Sequence, residues 1–270
     1  MGETQHRPRS DADLVVETQG AVTRLRLNRP ERLNALTLAL LTDIHRRVVE
    51  IAHTGTCRCL VITGTGRGFC AGQSLEEVRE AANLGDRVRT ILQQGYLPLV
   101  SALVGLELPV VAAINGVTAG SGLSLALACD LRVASDEATF SCAFSRVGLV
   151  PDAGATLLLP RAVGWSAAAD LALTGRRVDA DEALHLGLVH RVFPAATFAA
   201  GAAAAAAELA AGPTRALGLT KRALSRSWTA SLEEQLAIET DLQVEASGTA
   251  DGREGIAAFV AGRRPSFRGS

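Results

Sequence analysis

The sequence lacks any concentration of basic residues. Its 27 Lys and Arg are offset by 28 Asp and Glu and are spread along the chain, so the basic stripe of a nucleic-acid binder is absent and no nucleic-acid partner is expected. Little apolar character marks the start: Met1–Ser10 reads MGETQHRPRS, without the apolar core of a secretory signal, so export is not expected and a cytoplasmic location is. Nor is there a long apolar run. The longest, Leu97–Thr118, is interrupted by Glu107, Pro109 and Asn115, and the alanine-rich Ala199–Ala211 is too short to span a bilayer, so no membrane partner is expected.

Cysteine and histidine chemistry is equally thin. Cys57, Cys59, Cys70, Cys129 and Cys142 are odd in number and lie mostly in apolar runs, which predicts reduced, buried thiols. Cys57-x-Cys59 has no second pair beside it, and no two of the five histidines stand at a metal-binding spacing, His185 and His190 included; no metal is expected.

What is present is a chain of 270 residues, 48% hydrophobic, enough for one large domain or two small ones with a substantial core. Leu14–Thr18 and Ala21–Leu27 flank Gln19-Gly20, and alternation in the second segment predicts a hairpin with one wet face. From Asn34 the apolar positions Leu40, Leu41, Ile44 and Val48 recur at helical spacing through Ile51. Cys59–Thr63 then reads as a buried strand, Gly64–Gly72 as a glycine-dense loop, and Ser74–Leu106 as helical. The order repeats: strand Pro109–Ile114, loop from Asn115-Gly116, helix Gly120–Ala128. Short strands at Leu131–Ala134 and Thr139–Ser141 follow. After Val150-Pro151-Asp152 come helices to Arg161, over Ser166–Leu173 and over Ala180–Leu186. From Pro194 strands disappear and helices fill Ala195–Ala211, Thr214–Ser227, Leu232–Ala246 and Arg253–Ala261. The expected division is a core over 13–195 and a helical section over 196–265, with 1–12 and 266–270 flexible.

Two strand–glycine–helix loops can aim unpaired N–H groups at an oxygen that gains negative charge. Other readings of the same residues are weaker. Gly122-Leu-Ser-Leu-Ala126 misses the last glycine of a nucleophile elbow and has no evident His partner. Gly66–Ala71 fits a dinucleotide-loop pattern, but no acid ends a second strand about twenty residues on. Asp130 closes an apolar helix and reads as an acceptor for neighbouring backbone.

The wording of these segments resembles the crotonase (enoyl-CoA hydratase/isomerase) superfamily from Asn28-Arg-Pro-Glu-Arg-Leu-Asn-Ala-Leu36 to Arg253-Glu-Gly-Ile-Ala-Ala-Phe259. Gly68-Phe-Cys-Ala-Gly-Gln73 is similar to its first oxyanion loop, and Asn115-Gly-Val-Thr-Ala-Gly-Ser-Gly122 with Cys129-Asp130 to its second. The resemblance implies an α/β fold, a spiral of repeated ββα units with a C-terminal helical assembly section, as a homotrimer or dimer of trimers. It implies an acyl-CoA thioester substrate with no separate cofactor, coenzyme A being part of the substrate. Backbone donors are implied at Ala71 and Ser121, where the family usually has glycine at the latter place and often an acid where Ser74 stands. Asn34, Ala35, Gly72, Gln73, Gly120 and Ser124 are expected around the substrate, with Phe144 as a pocket wall. Lys221 and Phe259 are expected to line the coenzyme A site, a neighbouring subunit contributing. The acyl pocket is expected between Leu75 and Tyr96, with Tyr96 and Leu84 as further walls.

The two glutamates of the family's hydratases would fall at Ser124 and Phe144, so neither is available here. The remaining acid is Asp152, in Ala143-Phe-Ser-Arg-Val-Gly-Leu-Val-Pro-Asp-Ala-Gly154. By position alone it is equally a helix N-cap or a base raised by an apolar pocket. The segment resembles the bacterial 1,2-epoxyphenylacetyl-CoA isomerase branch, which implies that Asp152 is the acid/base of an isomerase in fatty-acid or phenylacetate breakdown. The alternatives are an enoyl-CoA hydratase or other crotonase-type lyase, and a catalytically silent acyl-CoA binder.

Overall fold

The computed structural model describes residues 12–79 and 82–270. The expected flexibility of 1–12 therefore falls almost wholly outside the described residues, as do Glu80 and Ala81 of the expected helical stretch.

The chain opens with a hairpin, β1 (Leu14–Gln19) and β2 (Val22–Leu27), in antiparallel register with Leu14 opposite Leu27. Thr23, Leu25 and Leu27 face inward, as the alternation predicts. Helix α1 (Leu38–Thr54) carries the expected apolar pattern, and the segment leading into it is not helical. Leu33 and Asn34 take left-handed backbone angles, which interrupts helical continuation, and the Thr37 hydroxyl accepts from Leu40 N–H as N-cap.

Three ββα repeats follow. The first comprises β3 (Cys59–Gly64), β4 (Gly68–Cys70) and the helices α2 (Leu75–Arg79), α3 (Leu84–Ile91) and α4 (Leu97–Gly105), with a wide π turn at Leu92–Tyr96 joining the last two. The second is β5 (Val110–Ile114), β6 (Val117–Ala119) and α5 (Ser121–Leu127). The third is β7 (Leu131–Ser135), β8 (Thr139–Ser141) and α6 (Ala155–Thr174), which bends at Gly164 and so embodies the two helices expected there. After β9 (Arg177–Asp179), α7 (Ala180–His185) and β10 (Arg191–Phe193) come the helices α8 (Ala195–Ala210), α9 (Thr214–Arg226), α10 (Leu232–Ser247) and α11 (Ala250–Val260).

Each repeat gives its first strand to one sheet and its second to another. The large sheet runs β1-β2-β3-β5-β7-β10 and the small one β4-β6-β8-β9. The pairs β3–β5–β7 and β4–β6–β8 are parallel, so each unit stacks on its predecessor and the chain winds as a spiral. Stacking also brings equivalent loops of successive repeats side by side. Gly122 makes this possible: a Cβ there would lie 2.2 Å from the Cys70 carbonyl oxygen of the preceding repeat. The short strands β4, β6, β9 and β10 were not expected from the sequence; they form by pairing with distant segments.

The large sheet is covered on both faces, which explains its continuous apolar strands. Leu60, Ile62, Ala112 and Ile114 join the main core with α1 and α4, whereas Cys59, Val61, Val111 and Ala113 meet the alanine face of α8. Helix α8, assigned by composition to the C-terminal section, thus packs directly on the sheet. At the tail, the buried Asp251 carboxylate accepts from the N–H groups of Arg268 and Gly269 at 2.7 Å each, and Asp251 N–H donates to a Ser270 oxygen. Among the described residues no single helix is long and apolar enough to cross a membrane; α8 and α9 reach that length only together, across a 96° bend.

Candidate active site

The loops that leave β4 and β6 meet at a cleft of about 160 Å³. Their contact is close: Gly72 has φ +98, and a Cβ on it would stand 2.8 Å from Ala119 O and 3.2 Å from Ser121 N. Only glycine permits that approach with that backbone angle.

The donors differ from the sequence expectation in one respect. Ala71 N–H is not available, because it donates to Leu33 O at 2.9 Å. A parallel bridge then ties Leu36 to the loop through Leu36 N–H to Gly72 O and Ser74 N–H to Leu36 O. That bridge skips Gln73, whose N–H has no hydrogen-bond partner among the described residues. The amide left unpartnered in the first loop is therefore that of Gln73, not that of Ala71. In the second loop Ser121 opens α5, where the preceding turn supplies no acceptor; its N–H is likewise unpartnered among the described residues.

Gln73 is fixed through its side chain. The buried Tyr96 hydroxyl donates to its Oε1 at 3.0 Å, and its Nε2 donates to Glu77 Oε2 at 2.8 Å. Glu77 in turn accepts from Arg87 at 2.6 Å and from Leu38 N–H. Burial holds the Tyr96 phenol well above its ordinary range, so it stays a neutral donor.

Asp152 lines the same cleft as the two loops and is the one acid to do so among the described residues. It does not cap α6, which begins at Ala155 with Gly154 in the cap position. Instead its Oδ1 accepts from Ser121 Oγ at 3.0 Å, and its carbonyl accepts from Ser124 Oγ at 3.0 Å. Burial raises the Asp152 carboxyl above the usual range, and the Ser121 hydrogen bond opposes that rise. Cys70 lies just behind the loop with its thiol pushed up to about 12 by burial, which removes it as a thiolate nucleophile near neutral pH. The walls are apolar: Leu75, Val78, Val88, Ile91, Leu92 and Phe144.

Of the residues expected at the site, Ala71, Gly72, Gln73, Gly120, Ser121, Phe144 and Asp152 come together around the cleft, as does the expected wall Tyr96. Others do not. Asn34 is fully buried, its side chain accepting from Arg29 N–H and donating to the carbonyls of Thr65 and Gly68; it ties the loop from behind. Ala35 lies outside the lining and offers its carbonyl to Arg29. Ser124 is buried beneath Asp152. Lys221 donates to Asp130 at 2.9 Å and to the Leu103 carbonyl at 2.7 Å, an internal ion pair away from this cleft. Phe259 is 87% exposed on α11, and Leu84 points to solvent. Two features escaped the sequence: the Gln73 N–H, freed only by the Leu36 bridge, and the Ser121 hydroxyl on Asp152.

A spiral of ββα repeats that presents two unpartnered amides from adjacent glycine loops defines the crotonase class, and the chain belongs to the enoyl-CoA hydratase/isomerase family, whose pattern residues 17–270 match. It is 41% identical over 261 residues, 95% of this chain and 98% of the relative, to a 1,2-epoxyphenylacetyl-CoA isomerase of Escherichia coli. It is 37% identical over 261 residues, 96% and 99% of the two chains, to a 2,3-dehydroadipyl-CoA hydratase of the same organism. Among solved structures, an enoyl-CoA hydratase from Bacillus anthracis superposes with TM-score 0.90 at 32% identity, covering 96% of this chain and all of the other. Enzymatic acyl-CoA chemistry through an enolate is common ground; the names of the relatives divide between isomerase and hydratase.

Proposed function

We propose that the protein is an acyl-CoA isomerase that shifts a double bond, or rearranges an aryl epoxide, in a thioester whose enolate oxygen is held by the N–H groups of Gln73 and Ser121. The observation that carries this reading is that Asp152 is the single acid lining the cleft among the described residues; the family resemblance places the hydratases' glutamates at Ser124 and Phe144, which carry no carboxylate.

The chemistry needs no more. Asp152 takes a proton from C2 of a 3-enoyl thioester, the electron pair moves onto the thioester oxygen, and the proton returns to C4 to leave the conjugated 2-enoyl product. Two preorganised amides stabilise the oxygen where charge develops. An apolar pocket keeps the carboxylate basic. The cleft of about 160 Å³ is close to the roughly 150 Å³ of an apolar cavity that binds benzene, which supports an aryl or short acyl group.

Conversion of a 3-enoyl-CoA, followed by ultraviolet absorbance of the conjugated product, tests the reading. Asp152→Asn should fold as wild type and lose at least about 10³-fold in turnover. Retained turnover in that variant ends the assignment of Asp152, and binding of the thioester without any turnover identifies a silent binder.

A second reading, hydration, is favoured by the names of relatives at similar identity. Efficient hydration of crotonyl-CoA would select it, with Asp152 activating water. The assembly is read as a homotrimer or dimer of trimers. Exposed apolar side chains on the last two helices, Leu232, Leu236, Val244, Ile256, Phe259 and Val260, support burial between copies, and sedimentation equilibrium tests it.

A further inference from the structure

Asp152 is held at two points by one face of one helix. Ser121 and Ser124 stand one turn apart on α5, the first bonded to the Asp152 carboxylate and the second to its carbonyl, each at 3.0 Å. Both serines are buried, while Asp152 itself is half-buried. The segment needs holding, because Ala153 at φ +50 and Gly154 at φ +85 follow directly, and a residue with a Cβ adopts that conformation only where its surroundings enforce it. A glycine at position 121 would supply the same backbone N–H. The hydroxyl is therefore an addition, and its one hydrogen goes to the acid.

We propose that Ser121 is the positioning residue of the base: its hydroxyl occupies Asp152 Oδ1 and leaves Oδ2 as the oxygen that carries the proton along the acyl chain, while Ser124 fixes the main chain beneath it. The proposal rests on the isomerase reading above and adds a role for these two side chains. The proton leaves C2 for Oδ2 as its electron pair moves to the thioester oxygen, and leaves Oδ2 for C4 as that pair returns to form the C2–C3 double bond; Ser121 keeps its own proton throughout. One residue thus serves both partners of the reaction, its N–H the enolate and its O–H the acid.

The other titratable groups facing Asp152 are Tyr96, from the π turn, and Cys142, after β8. Burial lifts both, Cys142 to about 11, so both remain neutral while Asp152 titrates. Asp152 itself is raised by burial and drawn back by the Ser121 bond. Loss of that bond removes a stabiliser of the ionised form and moves the acid to still higher pH.

The test is the titration of Asp152 in the substrate-free protein, read as the carboxylic-acid stretch in infrared difference spectra against Asp152→Asn, together with the pH profile of kcat on a 3-enoyl-CoA. Ser121→Ala should raise the midpoint by about one pH unit and shift the acid limb of kcat with it, KM changing little. Ser121→Thr should restore both. Ser124→Ala should lower kcat several-fold and leave the midpoint in place. An unmoved midpoint in Ser121→Ala, or in Ser121→Gly should the alanine variant not fold, overturns the clamp. A moved midpoint in a protein that turns over no 3-enoyl-CoA upholds the clamp and removes the isomerase reading; turnover dependent on Asp152 with an unmoved midpoint does the reverse.

Discussion

The two glycine loops are built alike and work differently. Each leaves a three-residue strand of the small sheet and each brings one unpartnered amide to the cleft, and we read the donor as Gln73 in the first loop and Ser121 in the second. The second loop obtains its free N–H from starting a helix, a property of helix termini in general. The first has no such device, since α2 begins only at Leu75; its donor is free because neighbouring amides are taken by Leu33 and Leu36. A shared sequence pattern therefore fixes where backbone approaches the ligand, while packing partners elsewhere in the chain decide which amide remains unused.

Proline substitution separates the two cases most sharply. Ser121 is at the first helical position, where proline is accommodated, so Ser121→Pro compared with Ser121→Ala should fold and lose a further 10²- to 10³-fold or so in kcat, the usual cost of an oxyanion donor. Gln73→Pro should cost about the same. Ala71→Pro instead breaks the bond to Leu33, and should lower the melting temperature before it alters the chemistry; equal kcat losses at 71 and 73 with unchanged melting would show that the loops use equivalent positions after all. Gly72→Ala comes next. Its Cβ would press on Ala119 O and stand near Ser121 N, so kcat should fall roughly tenfold or more, with a circular-dichroism melt showing whether the fold survives.

The smallest effect concerns stability. The second loop carries the hydroxyl that faces a buried acid, and that acid is raised in the folded state. A raised carboxyl binds a proton in the folded chain that the unfolded chain has released, so its contribution is fully present below the unfolded value of about 4 and is lost as pH rises through the folded value. Asp152→Asn should therefore melt about 2 °C higher than wild type at pH 7, and the gap should close below about pH 4. Identical melting at neutral pH would mean that burial places no strain on the acid.

Much of the fold could be read from the sequence because its signals are local. The hairpin alternation, the apolar strands at Cys59–Gly64 and Val110–Ile114, the amphipathic spacing of α1 and the glycine runs all depend on near neighbours. What stayed hidden depends on distant ones. Nothing around Ala71 announces that Leu33 will take its N–H. Nothing around Asn34 announces that its amide will tie two loop carbonyls from behind. Lys221 was expected to line the coenzyme A site, and nothing near it announces its pairing with Asp130; nor do the final residues announce their bonds to the Asp251 carboxylate. Asp152 shows the same divide: the sequence placed the acid at the cleft and left it between cap and base, whereas the serines that hold it belong to another repeat.

Glu77 links the acyl wall to the donor loop, through Arg87 on one side and Gln73 on the other. The apolar side chains of α2 and α3 that line the cleft, such as Val78 and Val88, take no part in these bonds. Cleft shape can thus be altered on one side while a single carboxylate keeps the opposite loop in place.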